Sequence, residues 1–323
     1  MHILLVNHAP IPVFAYGGTE RVIWDLGRAL VQAGHRVSYL VPEGSHCDFS
    51  QVWPIRAGTP WAAQIPADVD VVHFQFQPEG EIGRPCLVTE HGNGSGGQPL
   101  LHNTVFVSRN HAERHGSAQF VHNGLDWSGY GPVDFSLARP RCHFLGKAAW
   151  RVKNVKGAIQ VARRAGIDLD VLGGTRLNLR RGFRLTLSPH VHFHGMVGGA
   201  QKFERLNASR GLVLPVRWHE PFGLAVIESL YFGCPVFATP YGALPELVDP
   251  GCGHLAASAA ELAEALRGWR GDPRACQAQV LERFSAAAMA RGYLACYERV
   301  LAGEVLNAEP PRLQASPFDL PWA

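Results

Sequence analysis

The sequence lacks several features that would place it in a specialised class of protein. No apolar run reaches the length of about 20 residues that a membrane-spanning helix needs. None of the seven cysteines forms a Cys-x-x-Cys pair, so neither a disulfide framework nor a zinc site is indicated. Lysine and arginine form no long basic run, and the net charge is only +3, which argues against a nucleic-acid-binding protein.

The remaining composition is typical of a globular intracellular protein. Hydrophobic residues make up 46% of the 323 residues and charged residues 18%, and this length suffices for two domains of ordinary size. Scattered, unpaired cysteines favour a reducing compartment. The first residues predict a short strand that Asn7 interrupts, not a signal peptide. We therefore expect a cytoplasmic protein, with room for peripheral contact at the inner face of a membrane.

Short apolar runs alternate with amphipathic helical patterns along most of the chain, which is typical of parallel α/β sheets. The predicted strands are residues 2–6, 36–41, 69–74, 86–89, 105–108, 142–145, 169–172, 191–193, 212–215 and 237–239. Residues 127–140 are rich in glycine and proline and have little periodicity, so they predict a linker between two halves. An apolar stripe over residues 285–301 predicts a long final helix.

Two features of the first half suggest a ligand. Gly17 and Gly18 precede a predicted helix, where glycines let backbone amides approach a phosphate. Most Gly-Gly pairs are turns, however, and this loop lacks the Gly-x-Gly-x-x-Gly spacing of dinucleotide-binding proteins. His91 follows a predicted strand, and ligands of open α/β sheets bind beyond the carboxyl ends of strands. The alternative for His91 is a loop histidine without a ligand.

The most informative stretch begins at residues 219–224, with the sequence His-Glu-Pro-Phe-Gly-Leu. Pro221 suits a first helical turn, and Gly223 leaves the free amides of the helix N-terminus accessible to an anion. Glu228 falls on the apolar face of this helix, where an ionised carboxylate needs a partner. An acid that accepts sugar hydroxyls beside an anion site would form a nucleotide pocket. The alternative is a glutamate that the helix dipole favours.

Residues 219–248 resemble the signature of retaining glycosyltransferases of family 4. That signature combines Glu-Pro-Phe-Gly, a second Glu eight positions after the first, Gly-x-Pro-Val, and Gly-x-x-Pro-Glu. In this sequence the four parts are Glu220-Pro221-Phe222-Gly223, Glu228, Gly233-Cys234-Pro235-Val236 and Gly242-Ala243-Leu244-Pro245-Glu246. The resemblance covers nearly the whole chain, weakly in residues 42–68 and in the tail.

The resemblance implies the GT-B fold, in which two Rossmann-like, doubly wound parallel-sheet domains face a central cleft. It implies an N-terminal, acceptor-side domain of residues 1–135 and a C-terminal, donor-side domain of residues 141–284. Residues 285–323 are expected to form a crossover helix and a tail that pack back on the first domain.

The resemblance also implies roles for individual residues. The candidate catalytic residues are His91 against the donor sugar, Lys147 and Lys153 on the departing diphosphate, and Glu220 against the reacting sugar. The candidate donor-binding residues are Gly17, Gly18, Gly195, Met196, Val197, Phe222, Gly223, Leu224 and Glu228, the last on ribose hydroxyls. Lys147 replaces the family's arginine, which keeps the charge but loses the bidentate fork. Lys153 aligns only with one extra loop residue, so Lys156 stays an alternative.

Together these features predict a retaining hexosyltransferase that uses a UDP- or GDP-sugar. The acceptor would be a hydroxyl of a saccharide, a lipid-linked saccharide or a small molecule. Neither a cofactor nor a metal is expected, because lysines can replace the cation and no Asp-x-Asp pair lies in a fitting loop. Asp168-Leu169-Asp170 has the required residues, but it leads into a predicted buried strand. The alternatives are a non-catalytic nucleotide-sugar-binding protein and a sugar-nucleotide isomerase on the same fold.

Overall fold

The structure is a computed structural model that describes residues 1–12, 18–94, 96–179, 183–315, 318 and 320–323. The described chain forms two compact units. The first holds the residues up to Asp126 together with residues 284–315, and the second holds residues 127–283, 318 and 320–323. None of the described helices is both long enough and apolar enough to cross a membrane.

Each unit is built on one six-stranded parallel sheet. The strands are β1 (His2–Val6), β2 (Arg36–Val41), β3 (Gln51–Pro54), β4 (Val71–Phe74), β5 (Cys86–Glu90), β6 (Thr104–Phe106), β7 (Arg141–Leu145), β8 (Leu169–Leu172), β9 (Leu177–Asn178), β10 (Arg184–Leu185), β11 (Val191–Phe193), β12 (Ser209–Leu214), β13 (Val236–Ala238) and β14 (Gly253–Leu255). The strand order is β3-β2-β1-β4-β5-β6 in the first sheet and β11-β8-β7-β12-β13-β14 in the second. The β9–β10 pair is antiparallel and separate.

The described helices flank these sheets. They are α1 (Gly18–Gln32), α2 (Arg109–Glu113), α3 (Val155–Ala165), α4 (Gly199–Asn207), α5 (Leu224–Tyr231), α6 (Leu244–Leu247), α7 (Ala259–Gly268), α8 (Pro273–Arg283) and α9 (Ala286–Leu301). Short 3-10 turns span Trp61–Ala63, Trp127–Tyr130, Arg151–Lys153 and Pro250–Cys252. Helix α9 belongs to the first unit, where it packs against α1.

The apolar runs of the sequence become strands that are buried on both faces. All five residues of β1 are buried, as is typical of a strand inside a parallel sheet covered by helices. Both sheets reverse their winding direction at one point, between β1 and β4 in the first sheet and between β7 and β12 in the second. Ligands of open α/β sheets bind beyond the carboxyl ends of strands at such a point. The loops after β7 and β12 are therefore expected to carry a ligand-binding site in the second unit.

All ten predicted strands are present, and the predicted α/β class is confirmed. The sequence analysis missed strands β3 and β14 at the sheet edges. Strand β3 is partly exposed and β14 has only three residues, so neither produces a buried apolar run. The short hairpin of β9 and β10 was missed for the same reason.

The predicted linker differs from the observed division of the chain. The second unit begins at Trp127, not at residue 141, and Trp127 and Tyr130 are each only 7% exposed in the chain. The Trp127 ring stacks on Tyr231 with ring centroids 4.7 Å apart. The glycines, prolines and weak periodicity of residues 127–140 predicted a linker and gave no indication of these two buried aromatic residues.

The end of the tail also differs from its prediction. Phe318 and residues 320–323 belong to the second unit, whereas the sequence analysis assigned the tail to the first. The Leu320 amide donates to the Arg217 carbonyl at 3.1 Å, and the Ala323 amide donates to the Ala257 carbonyl at 2.9 Å. These backbone bonds carry little sequence signal, which is why composition alone did not predict them.

Each sheet contains a fully buried histidine that is held in its neutral form. His73 on β4 hydrogen-bonds with the Tyr297 hydroxyl and with Thr89 Oγ1, both at 2.7 Å. His143 on β7 hydrogen-bonds with Ser209 Oγ at 2.6 Å and Ser229 Oγ at 2.8 Å. Burial lowers the pKa of each imidazole from 6.5 to about 3.

These histidines should make the fold sensitive to acid. An unfolded histidine takes up a proton below its pKa of 6.5, whereas folded His143 stays neutral down to about pH 3, so its contribution to stability is lost as pH falls. His143→Asn should reduce the slope of unfolding free energy against pH by about 0.7 kcal/mol per pH unit at pH 6.5 and by nearly the full value of about 1.4 kcal/mol per pH unit at pH 5. Urea titrations at several pH values measure this slope. The exposed His46→Asn serves as the control, and equal slopes for wild type and His143→Asn would contradict the prediction.

Candidate functional site

The loops after β7 and β12 are fastened to each other at the point where the second sheet reverses its winding. The Arg217 amide donates to the Val152 carbonyl at 2.7 Å, and Asn154 Nδ2 donates to the Pro215 carbonyl at 2.9 Å. Asn154 has a left-handed backbone conformation with φ of 53°, and its Oδ1 caps α3 by accepting from the Gly157 amide. This geometry fixes the direction of the residues just before α3.

Lys153 and Glu220 form an ion pair across these two loops. Lys153 Nζ lies 2.9 Å from Glu220 Oε1 and 2.6 Å from Oε2. Trp218 Nε1 also donates to Oε2 at 2.7 Å, and Lys153 Nζ lies 4.9 Å from the centroid of the Trp218 ring. Glu220 is only 7% exposed. Its carboxylate therefore has little contact with water, and it accepts three charge-assisted hydrogen bonds, two from Lys153 and one from Trp218. The sequence analysis predicted the lysine and the glutamate but missed Trp218.

The main chain of Glu220 is held by the glycine of the Gly-x-x-Pro-Glu segment. The Ala243 amide donates to the Glu220 carbonyl at 2.9 Å, and Gly242 pairs with Glu220 in an isolated parallel bridge. A Cβ atom on Gly242 would lie 2.2 Å from the Glu220 carbonyl oxygen, and its φ of +67° is left-handed. Only glycine fits at this position.

Helix α5 begins at Leu224, later than the sequence analysis predicted. Pro221 therefore lies outside the first helical turn, and this part of the prediction is wrong. Gly223 is the N-cap residue with φ of 114°, a conformation that a residue with a side chain rarely adopts. Phe222 is buried at 3% exposure, and Leu224 is partly exposed. The three predicted donor-binding residues 222–224 thus surround the helix N-terminus, where free amides and the helix dipole favour an anion.

Glu228 has the buried partner that its position required. Lys202 Nζ of α4 forms an ion pair with Glu228 Oε1, and the Tyr130 hydroxyl donates to the same oxygen at 2.8 Å. Glu228 is 3% exposed and Lys202 6% exposed. The sequence analysis missed both partners. A signal existed, because Lys202 and Leu206 are four residues apart and share the buried face of α4.

The remaining lysines occupy different surroundings. Lys147 Nζ lies 5.0 Å from the centroid of the Trp150 ring, just beyond the end of β7. Lys156 is exposed in the first turn of α3 and lines a pocket with Trp150, Arg151, Arg184 and Arg217. Of the two alternatives that the alignment left open, Lys153 and not Lys156 is the lysine paired with Glu220.

In the first unit, His91 lies beyond the carboxyl end of β5. His91 Nε2 hydrogen-bonds with Gln75 Oε1 at 2.8 Å, and Gln75 follows the neighbouring strand β4. Burial lowers the pKa of His91 from 6.5 to about 4, so the imidazole is neutral at physiological pH. Gly18 is the first residue of α1, and Gly17 lies outside the described residues. Gln75 is a further residue that the sequence analysis did not identify.

The turn after β11 contains the other predicted donor-binding residues. Gly195 has φ of +69°, and its carbonyl accepts from the Gly173 amide at 2.7 Å. Met196 is 49% exposed, whereas Val197 is buried at 7% exposure. The turn therefore presents a methionine side chain and backbone groups at the carboxyl end of the sheet.

The two aspartates of Asp168-Leu169-Asp170 hydrogen-bond with histidines. Asp168 lies 2.8 Å from His190 and 2.9 Å from His192, and Asp170 lies 2.7 Å from His194. Within the described part of the chain, no group of three or more His, Cys, Asp or Glu side chains is arranged to hold a metal ion.

The chain is similar in sequence to known glycosyltransferases. Residues 139–271, which lie within the second unit, match the family model described as glycosyl transferases group 1. The chain is 27% identical over 258 residues to the D-inositol 3-phosphate glycosyltransferase of Streptomyces avermitilis. This alignment covers 68% of the chain and 54% of that enzyme, so the chain spans about half the length of the curated relative.

Solved structures share the fold. AviGT4, a glycosyltransferase involved in avilamycin A biosynthesis, superposes with a TM-score of 0.76 at 22% identity, over 94% of this chain and 98% of AviGT4. HepE of Anabaena in complex with UDP-glucose gives a TM-score of 0.64 at 16% identity, over 94% of this chain and 100% of HepE. The predicted GT-B type of fold is confirmed. The match to glycosyl transferases group 1 supports the predicted resemblance to glycosyltransferases.

The Lys153–Glu220 pair predicts a measurable coupling. Lys153→Met leaves a nearly buried carboxylate without its cation, whereas the double variant Lys153→Met/Glu220→Gln removes the charge as well. The losses of unfolding free energy in the two single variants should therefore differ from additivity by about 0.5–3 kcal/mol. Chemical denaturation of the four proteins gives the coupling, with the exposed Lys156→Met as a matched control that should combine additively with Glu220→Gln. Additive losses for Lys153 and Glu220 would show that the pair does not form.

Proposed function

We propose that the protein is a retaining hexosyltransferase that moves a sugar from a nucleotide diphosphate to a hydroxyl acceptor without a metal ion. One observation carries the proposal. Two buried glutamates, eight positions apart, lie at the point where the second sheet reverses its winding, and each is paired with a lysine. Carboxylates held in this way accept hydroxyl hydrogen bonds, and the neighbouring cations and helix N-terminus suit a diphosphate.

The comparisons support this proposal and suggest the donor. The match to glycosyl transferases group 1 covers the unit that contains both glutamates. HepE, which shares the fold, is known in complex with UDP-glucose, so a UDP-sugar is the first donor to test. The acceptor is proposed only as a hydroxyl, because the chain aligns with about half of its curated relative.

The chemistry requires that negative charge on the leaving diphosphate be neutralised. The neutralising positive charge comes from Lys147 and Lys153 and from the partial positive charge of the amides at the start of α5. Preorganised groups of this kind commonly contribute the largest part of catalysis. An ammonium has three N–H donors, and Lys153 directs two of them at Glu220. We propose that the ammonium also donates to a phosphate oxygen while Glu220 stays oriented for a sugar hydroxyl.

His91 is proposed to contact the donor sugar, as the family resemblance implies. Its lowered pKa of about 4 makes it a neutral group that both donates and accepts hydrogen bonds. Gln75 fixes the ring through Nε2. No nucleophile is assigned, because the resemblance implies that the departing phosphate oxygen helps to remove the acceptor proton.

The proposal predicts transfer with retention and without metal. The protein should release UDP from UDP-glucose, or GDP from GDP-mannose, faster when a suitable hydroxyl acceptor from a saccharide and small-alcohol panel is present. Activity should persist in excess EDTA, because lysines carry the positive charge. NMR of the product should show the same anomeric configuration as the donor.

Three outcomes would contradict parts of this proposal. Inversion of the anomeric centre would exclude retention, and loss of activity in EDTA with recovery in Mg²⁺ would exclude the metal-free reaction. Tight nucleotide-sugar binding with no transfer to any acceptor would favour the non-catalytic binding protein.

The two glutamates should affect different kinetic constants. If Glu228 accepts ribose hydroxyls, these contacts are equal before and during the reaction, so Glu228→Gln should raise donor KM. Charge-assisted hydrogen bonds of about 1.5–3 kcal/mol correspond to an increase of about 10- to 150-fold. Glu220→Gln should instead lower kcat and should not weaken binding of the free nucleoside diphosphate, which has no sugar. Calorimetric titration with UDP measures the affinity of each variant. Equal affinities of Glu228→Gln and Glu220→Gln for UDP would contradict the assignment of the ribose to Glu228.

A further inference from the structure

We propose that Lys202 and Tyr130 are positioning residues that give the site its selectivity for ribose over deoxyribose nucleotides. This inference rests on the proposed function, in which Glu228 binds the ribose hydroxyls of the donor. It adds two residues to that function, and neither lies in the Glu-Pro-Phe-Gly signature or in the lysine-bearing loop after β7. Both belong to the second unit, as does Glu228.

The two residues act on one oxygen of Glu228. Lys202 approaches from α4 and Tyr130 from the 3-10 turn Trp127–Tyr130, and both donate to Oε1. Because two donors from different elements meet on a single oxygen, rotation of the carboxylate about its last side-chain bond is restricted. The direction of Oε2 is thereby fixed by groups that are themselves buried. A carboxylate that accepts hydrogen bonds from ribose hydroxyls needs its oxygens held in a defined direction.

The surroundings of Lys202 argue against a role of the Lys202–Glu228 pair in stability alone. Lys202 Nζ lies 5.4 Å from the centroid of the Phe203 ring and 5.8 Å from that of Tyr130, and the side chain is 8% exposed. Burying a lysine and a glutamate removes both from water, and replacing such a pair with apolar residues is often neutral or stabilising. A leucine or methionine at position 202 would satisfy the packing of α4. The lysine therefore has to be explained by its effect on Glu228.

The charge of Lys202 determines the chemical form of Glu228. A buried carboxylate without a cation tends to take up a proton, and a protonated carboxyl is a donor as well as an acceptor. Beside Lys202 the group stays ionised and only accepts, which matches a ribose whose two hydroxyls both donate. The pair is also neutral as a whole, so it does not repel the diphosphate of the same ligand. Loss of the lysine should thus weaken ribose recognition more than it weakens phosphate binding.

The test compares two diphosphates that differ only in the ribose hydroxyls. Calorimetry with UDP and with 2′,3′-dideoxy-UDP gives the ratio of their Kd values, which is expected to be about 10 or more in the wild type. Lys202→Met keeps the length of the side chain without its charge, and it should reduce the ratio towards 1. Tyr130→Phe removes one of the two donors and should reduce the ratio by a smaller factor. Lys202→Arg should restore part of the ratio that Lys202→Met loses.

A matched control separates positioning from folding. Gln201→Met places the same new side chain on the neighbouring, exposed position of α4 and should leave the ratio unchanged. Melting temperatures without ligand are recorded for every variant, because a purely structural pair would lower Tm and leave the ratio intact. If Lys202→Met does not fold, Tyr130→Phe provides the ratio.

The outcomes are distinguishable. An unchanged ratio in the folded variants would overturn the inference, and so would a wild type that binds UDP and dideoxy-UDP equally well. A wild type that binds none of UDP, GDP and ADP would contradict the proposed function itself. A ratio that falls in the order Gln201→Met, Tyr130→Phe, Lys202→Met supports the inference.

Discussion

The second unit depends on the requirement that a buried carboxylate have a cation. Glu220 and Glu228 are both nearly inaccessible to water, and an ionised group in that position costs several kcal/mol unless it is paired. Lys153 meets this requirement for the first glutamate and Lys202 for the second. The loop after β7, the helix α4 and the turn that carries Tyr130 are all placed so that these donors reach the two carboxylates. Helix α5, which carries Glu228 and begins four residues after Glu220, is the common support.

In the proposed function, this arrangement lets one segment contact two parts of a nucleotide sugar. Each carboxylate is paired with its own lysine, which reduces the repulsion of a diphosphate. The N-terminus of α5 favours an anion through its backbone amides and the helix dipole. Gly223 and Gly242 make the geometry feasible, because one adopts a left-handed conformation at the helix start and the other lets the chain approach the Glu220 carbonyl. Such a site is largely formed before a ligand binds, and preorganisation of this kind reduces the cost of orienting the substrate.

The sequence predicted the strands of the sheet interiors, the motif residues and the need of Glu228 for a partner, because each leaves a local pattern. It did not identify that partner, since periodicity indicates which face of a helix is buried but not which residue of another helix meets it. Tyr130 was missed because it lies in a glycine-rich stretch whose composition is typical of a linker. The sequence left Lys153 and Lys156 as alternatives, because the alignment required one extra loop residue. In the structure Lys153 forms the ion pair with Glu220, and the left-handed Asn154 follows it directly. Strands β3 and β14 and the backbone pairing of residues 320–323 leave little apolar signal.

In the proposed function, the paired glutamates divide the recognition of a nucleotide sugar between them. A crystal structure of the protein with a nucleoside diphosphate bound tests it most directly. The account predicts that both ribose hydroxyls lie within about 3.2 Å of the Glu228 carboxylate while Lys202 keeps its contact with Oε1, and that phosphate oxygens lie near Lys147 and Lys153. A diphosphate whose ribose lies away from Glu228, or whose binding breaks the Lys202–Glu228 pair, would contradict it.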